Sequence, residues 1–186
     1  MTHKTANIKN LILCALFTVL IVICTYIQIP FAIPFTMQTF AIALACLVLG
    51  SNKALVCVIT YILLGLIGFP VFSGIGSTGV LLGPTGGFIF GFLLMVICYM
   101  ILSKTFSSFC KKHIITSLFI SLIPCYIFGA VWYTNFAYSQ KNTDFLTVLK
   151  ICVLPFIIPD IIKLFIANKV SKSLSFYLSK FSFDKI

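Results

Sequence analysis

Long apolar runs alternate with short polar or Gly/Pro-rich breaks along the whole chain. A helix needs about 20 apolar residues to cross the hydrocarbon of a bilayer. On that scale the runs at 11–29, 35–50, 54–69, 84–102, 114–137 and 157–176 predict six membrane-spanning helices. The second run is short, and "SNK" at 51–53 divides it from the third. Pro84 opens the fourth, because proline suits the first position of a helix. The sixth lies within 145–178, where Pro155 and Pro159 are expected to interrupt it. The fold class is therefore all-α: an integral membrane protein forming a single transmembrane domain over 1–186.

Composition strengthens this reading. Hydrophobic residues make up 61% and charged residues 9%, against about 25% charged in soluble domains. Mean hydropathy is +1.18. So little charge cannot cover a surface in water, which leaves the lipid bilayer as solvent. The apolar runs recur throughout, so this is no signal peptide ahead of a soluble domain. A multi-pass protein of the plasma membrane is expected.

Charge then orients the chain. The net charge of +10 comes from thirteen lysines against three acids, Asp144, Asp160 and Asp184. Lys4, Lys9, Lys53, Lys104, Lys111, Lys112, Lys169, Lys172, Lys180 and Lys185 all fall on one side of a six-span chain. Under the positive-inside rule that side is cytoplasmic, and both termini lie there. The same placement explains the basic balance without nucleic acid. Seven of the eight cysteines lie in apolar segments and form no C-x-x-C or Cys/His cluster, so they read as small buried hydrophobes. No metal site and no cofactor is expected.

"SGIGSTGVLLGPTGGF" at 73–88 contains a G-x-G-x-x-G match. A dinucleotide fold would need a strand before it and an acid about 20 residues later. A membrane helix precedes it, and the first acid of the chain is Asp144. The nucleotide reading fails on both counts. No Walker A pattern occurs either, so the chain does not hydrolyse ATP by that route. Gly79, Gly83, Gly87 and Gly91 recur every four residues, a spacing that lets membrane helices approach closely. Ser73–Gly79 reads as a flexible outer flap. "GPTGG" reads as a helix start whose free N–H groups, at Gly83, Thr85, Gly86 and Gly87, suit a polar or anionic ligand.

The most informative stretch is "LPFIIPDIIKLFIANK". Asp160 and Lys163 stand at i, i+3 and share one helix face. Each alone costs about 2.5–3.5 kcal/mol at a span centre, so an intramembrane ionisable residue marks a functional site by default. Pro159 is expected to place Asp160 in a first helical turn, where the helix dipole favours a carboxylate. Thr36, Gln38 and Thr39 begin the second span on the same side, and Trp132, Tyr133 and Asn135 end the fifth there. Trp132 and Tyr133 fit an interfacial belt as well as a ligand contact. No acid pair and no Ser/His or Cys/His arrangement can be assembled at one depth, so the site binds and does not catalyse.

Three stretches together, "IPFTMQTFAIALACLVLG", "YILLGLIGFPVFSGIGSTGVLLGPTGGFIFGF" and "LPFIIPDIIK", resemble the BioY family. These are biotin-specific substrate-binding (S) components of energy-coupling factor (ECF) transporters. The resemblance runs over almost the whole chain. It implies a six-helix S-component bundle that binds biotin from outside for uptake. The implied partners are a transmembrane T component and two cytoplasmic ATPase subunits, which would account for the missing Walker A motif. An S component of this kind topples in the membrane to deliver its substrate. Residue by residue, the resemblance assigns ligand contacts to Asp160 and Lys163, to Gln38 in "FTMQT", and to the "GPTGG" block.

Two positions depart from the family pattern. The last-helix motif usually reads Pro-Gly-Asp, and here it is Ile158-Pro159-Asp160. The first helix lacks the Ala-x-x-x-Ala spacing used to dock the T component, since Ala15 is followed by Thr18, Val19 and Val22. Two rival readings remain: an S component for another vitamin, and a membrane scaffold whose Asp160–Lys163 pair is purely structural.

Overall fold

A computed structural model of the chain describes residues 3–29, 35–72, 77–141 and 145–180. In chain order, His3–Tyr26 forms α1, Gln38–Leu49 α2 and Ser51–Leu66 α3. Ser77–Leu82 (α4) is a short helix ahead of Gly86–Thr105 (α5). Ser107–Lys112 (α6) leads into Ile114–Lys141 (α7), and Phe145–Cys152 (α8) into Leu154–Lys180 (α9). Between α1 and α2, Gln28–Ile29 (β1) pairs antiparallel with Phe35–Thr36 (β2), Gln28 opposite Thr36.

Four apolar stretches are long enough to cross a bilayer: Ile8–Tyr26, Gly86–Thr105, Ile114–Phe136 and Phe145–Tyr177. The apolar helices α2 and α3 are shorter. At 1.5 Å per residue, the 12 residues of α2 extend about 18 Å, against roughly 30 Å of hydrocarbon. Burial explains how so short a helix is tolerated. Gln38, Thr39 and Ala41 through Cys46 are all buried, so protein surrounds α2 where lipid would otherwise lie. It packs against α1, α3 and α9.

Several boundaries differ from the sequence reading. Helix α1 stops at Tyr26, and Gln28–Ile29, expected to be helical, peel away as β1. The second helix starts at Gln38 and not at 35, because Phe35–Thr36 are held in β2. The fourth starts at Gly86, after a turn through Pro84 and Thr85. In the last segment the break falls at Val153, and neither proline interrupts α9. Pro155 lies in the first turn, where N–H groups lack partners in any case. Pro159 lies inside the helix and frees one carbonyl. Asp160 therefore sits in the second turn, not the first. Of the expected flap, 73–76 lie outside the described residues, as does "PFAIP" at 30–34, and 77–79 open α4.

The paired helices α5 and α7 meet where the four-residue glycine spacing placed a close contact. A Cβ on Gly87 would lie 2.2 Å from Trp132 Cβ, and one on Gly91 would lie 2.8 Å from Cys125 Sγ. Only glycine fits at such separations. Large apolar side chains cover the outside, Leu11 and Leu16 on α1 and Ile158 and Phe165 on α9 among them. In water so apolar a surface would drive aggregation; in lipid it is the expected exterior.

Candidate ligand-binding site

Helix α9 turns Asp160 and Lys163 inward, 2% and 4% exposed. Lys163 Nζ lies 2.7 Å from Asp160 Oδ1. The same oxygen accepts from Thr39 Oγ1 at 2.9 Å, and Oδ2 accepts from the Tyr126 hydroxyl at 2.5 Å. Lys163 also donates to the Thr36 carbonyl at 2.7 Å and lies 3.8 Å from the centroid of the Phe35 ring. The pair thus ties α9 to β2, to the first turn of α2 and to α7. That first turn brings the positive end of the α2 dipole to the carboxylate.

Counting donors and acceptors shows what is left over. An ionised carboxylate offers about four acceptor positions, and three are filled. An ammonium has three N–H groups, and two are hydrogen-bonded. One acceptor position on Asp160 and one N–H on Lys163 remain for a ligand.

A second network runs beside the first. Thr36 Oγ1 donates to Gln38 Oε1 at 2.7 Å, and Gln38 Nε2 donates to the Tyr61 hydroxyl at 2.6 Å. Tyr61 meets Thr25 Oγ1 at 3.1 Å, and Thr25 donates to the Ile21 carbonyl at 2.9 Å. The single Thr25 proton is taken there, so Tyr61 donates to Thr25. The donors therefore run one way, from Gln38 to α1, and fix the orientation of the amide. Gln38 keeps one N–H and one acceptor position free.

Both networks face a cavity of about 90 Å³. Its polar wall is formed by Asp160, Lys163, Thr36, Gln38, Thr39, Tyr61 and Thr25. Its apolar wall is formed by Phe72, Val80, Phe88, Ile89, Phe92 and Phe156, with Thr85 beside them. One half is built for hydrogen bonds and the other for a flat apolar body.

Six of the residues singled out from sequence line this cavity together: Asp160, Lys163, Gln38, Thr36, Thr39 and Thr85. Gly83, Gly86, Gly87 and Trp132 stand behind it. Trp132 Nε1 donates to the Gly83 carbonyl at 3.0 Å, and its side chain covers Gly87. A Cβ on Gly86 would meet the Leu81 carbonyl oxygen at 1.8 Å. These four residues hold the turn that presents Thr85. Nor are the N–H groups of this turn all free: Gly86 donates to Gly83 and Phe88 to Thr85, each at 3.1 Å. Asn135 is exposed, away from the cavity. Sequence reasoning missed Tyr126, Tyr61 and Thr25. Their signal was weak but present, because a hydroxyl within an apolar span needs a partner.

Fold and cavity together define a multi-pass membrane protein with a polar chamber built around one ion pair. The family model described as "BioY family" matches residues 1–180, and the chain belongs to that family. It is 36% identical over 165 residues to the biotin transporter BioY of Thermotoga maritima, covering 88% of this chain and 94% of the relative. It is 34% identical over 160 residues to a probable biotin transporter BioY of Pyrococcus horikoshii, covering 83% and 89%. The fold matches the crystal structure of the S-component for biotin from an ECF-type ABC transporter, with a TM-score of 0.77 and 27% identity over 94% of each chain.

Proposed function

We propose that this chain is the biotin-binding S component of an ECF-type transporter in the plasma membrane. The leftover pairing capacity of the Asp160–Lys163 pair carries the reading. Biotin's ureido ring donates N–H and accepts at its carbonyl. One N–H fits the open position on Asp160, and the carbonyl fits the remaining N–H of Lys163. Gln38, with one donor and one acceptor free, serves the same polar ring. The apolar bicycle lies against Phe88, Phe92 and Phe156. Trp132 and the glycine turn act by holding Thr85 in place.

The distribution of lysines supports six spans with both termini cytoplasmic. In that arrangement α2 and α3 complete the count beside the four long stretches. The chamber then opens to the outside. Energy for uptake comes from partners, a T component and two ATPase subunits, since this chain carries no Walker A motif.

A binding panel on purified protein tests the proposal. Biotin, riboflavin and thiamine are each titrated by calorimetry. Biotin alone should bind. Saturable binding of riboflavin or thiamine in its place would overturn the substrate assignment.

A further inference from the structure

The Asp160 chamber occupies one end of the bundle. A second cavity, of about 340 Å³, lies toward the other end of α2 and α5. That volume falls within the roughly 300–1,000 Å³ of small-ligand clefts. Along α5, Ile89 and Phe92 face the first cavity, while Tyr99 and Ser103 face the second. Ile89 and Ser103 are separated by about 21 Å of helix rise, so the two are distinct sites.

The second cavity is rich in unused donors. Tyr99 is only 8% exposed, and its hydroxyl makes no hydrogen bond to any described residue. The ring is held in the protein while the hydroxyl opens onto the cavity. Lys111 and Ser107 line the same space, and neither is paired among the described residues. The wall is completed by Gly50 and Ser51, the N-cap and first residue of α3. No side chain caps that helix, and its first internal bond runs from Ala54 N–H to the Gly50 carbonyl at 3.0 Å. The N–H groups ahead of Ala54 are left over and give this end of the helix a positive dipole. Ser103 is not among the donors, because its proton goes to the Met100 carbonyl. No acid among the described residues lines the cavity. Leu47 and Ile114 supply apolar walls beside the donors.

A cation, the cavity-facing hydroxyl of a largely buried tyrosine and a bare helix N-terminus converge on one acceptor-rich, negatively charged group. We propose that this cavity binds the phosphate of an anionic membrane phospholipid. Lys111 and the Tyr99 hydroxyl meet phosphate oxygens, and the start of α3 faces the same group. The apolar walls take the glycerol and the first acyl carbons, which a free phosphate does not have. Basic pockets between membrane helices are known to take lipid headgroups in this way.

Native mass spectrometry of the detergent-purified chain tests it, with phosphatidylglycerol and phosphatidylcholine supplied at equal concentration. Phosphatidylglycerol should be retained in preference. Tyr99→Phe and Lys111→Gln should each lower that retention roughly tenfold, the loss expected for one hydrogen bond to a charged group. Lys104→Gln, which removes a neighbouring charge that does not line the cavity, should leave retention unchanged. Unchanged thermal unfolding would show that the variants are folded. Equal retention of the two lipids, or equal loss in Lys104→Gln, would overturn the proposal. Inorganic phosphate serves as the separate arm. Thermal stabilisation by phosphate, lost in Tyr99→Phe and unaccompanied by any lipid preference, would overturn the lipid source and leave a soluble phosphate as the ligand.

Discussion

Neutralising Asp160 and Lys163 separately and together distinguishes a ligand site from a structural ion pair. Each charge is almost wholly buried, and each is the other's only charged partner among the described residues. Removing one partner of a buried pair costs about 3–5 kcal/mol, because the other charge is left uncompensated. Asp160→Asn or Lys163→Gln alone should therefore lower the melting temperature by roughly 6–20 °C, at about 2–4 °C per kcal/mol for a chain of this size. The double variant Asp160→Asn/Lys163→Gln behaves differently. Its asparagine oxygen can still accept from Thr39, and its glutamine amide can still donate to the Thr36 carbonyl. No charge is stranded, so most of the lost stability should return.

Binding should not return with it. A hydrogen bond to a charged group contributes about 1.5–3 kcal/mol, against about 0.5–1.5 for a neutral pair. Two weakened contacts predict an affinity loss on the order of a hundredfold, since 1.4 kcal/mol is a factor of ten. The assay is biotin titration by calorimetry beside thermal unfolding of the same four proteins. A double variant that is stable and binds biotin as tightly as the parent would refute the site assignment and establish the pair as structural. Singles as stable as the parent would refute the burial argument itself.

Two further predictions concern the shell around the pair. Gly87→Ala puts a Cβ where Trp132 already stands, and overpacking of this kind costs about 1–3 kcal/mol. Gly79→Ala meets no described residue within 4 Å and should stabilise by about 0.4–1 kcal/mol; paired thermal melts that moved in the same direction would contradict the packing described for α5 and α7. Tyr126→Phe removes the only donor to Asp160 Oδ2 among the described residues, so biotin affinity should fall about tenfold with the fold intact, the size expected for one charged hydrogen bond. Calorimetry showing parental affinity in Tyr126→Phe would deny Tyr126 any part in positioning the carboxylate.

What the sequence made legible was contrast. Asp160, Lys163 and Gln38 stood out because charges and amides are costly in hydrocarbon. Their meeting in one cavity needed only the side of the membrane and the depth of each. Tyr126 and Tyr61 were hidden for the opposite reason. Tyrosine is common in membrane helices, and a linear pattern does not separate a belt residue from one whose hydroxyl reaches a buried acid. Trp132 shows the reverse case, since it was singled out but does not line the cavity. It lies near the right depth but faces Gly87, and direction around α7 is set by that glycine contact, which spacing alone did not reveal. The start of α9 was misplaced because both prolines were read as breaks, although Pro155 falls in a first turn that has no bond to lose and Pro159 costs the helix a single internal bond.

The short second helix is the part of the fold that makes the chamber possible. If 35–37 continued α2 toward its N-terminus, the Thr36 carbonyl would be taken by the N–H of Phe40, four residues on. Lys163 would then lose the acceptor it holds at 2.7 Å. Because the helix begins at Gln38, Thr36 can present its carbonyl to Lys163 and its hydroxyl to Gln38 at the same time. Irregular backbone is tolerated at membrane depth only where protein buries it or a cavity adjoins it, and Thr36 adjoins the cavity. An α2 too short to cross the bilayer on its own is thus what leaves a polar stretch of main chain available to hold a buried lysine at the wall of the cavity.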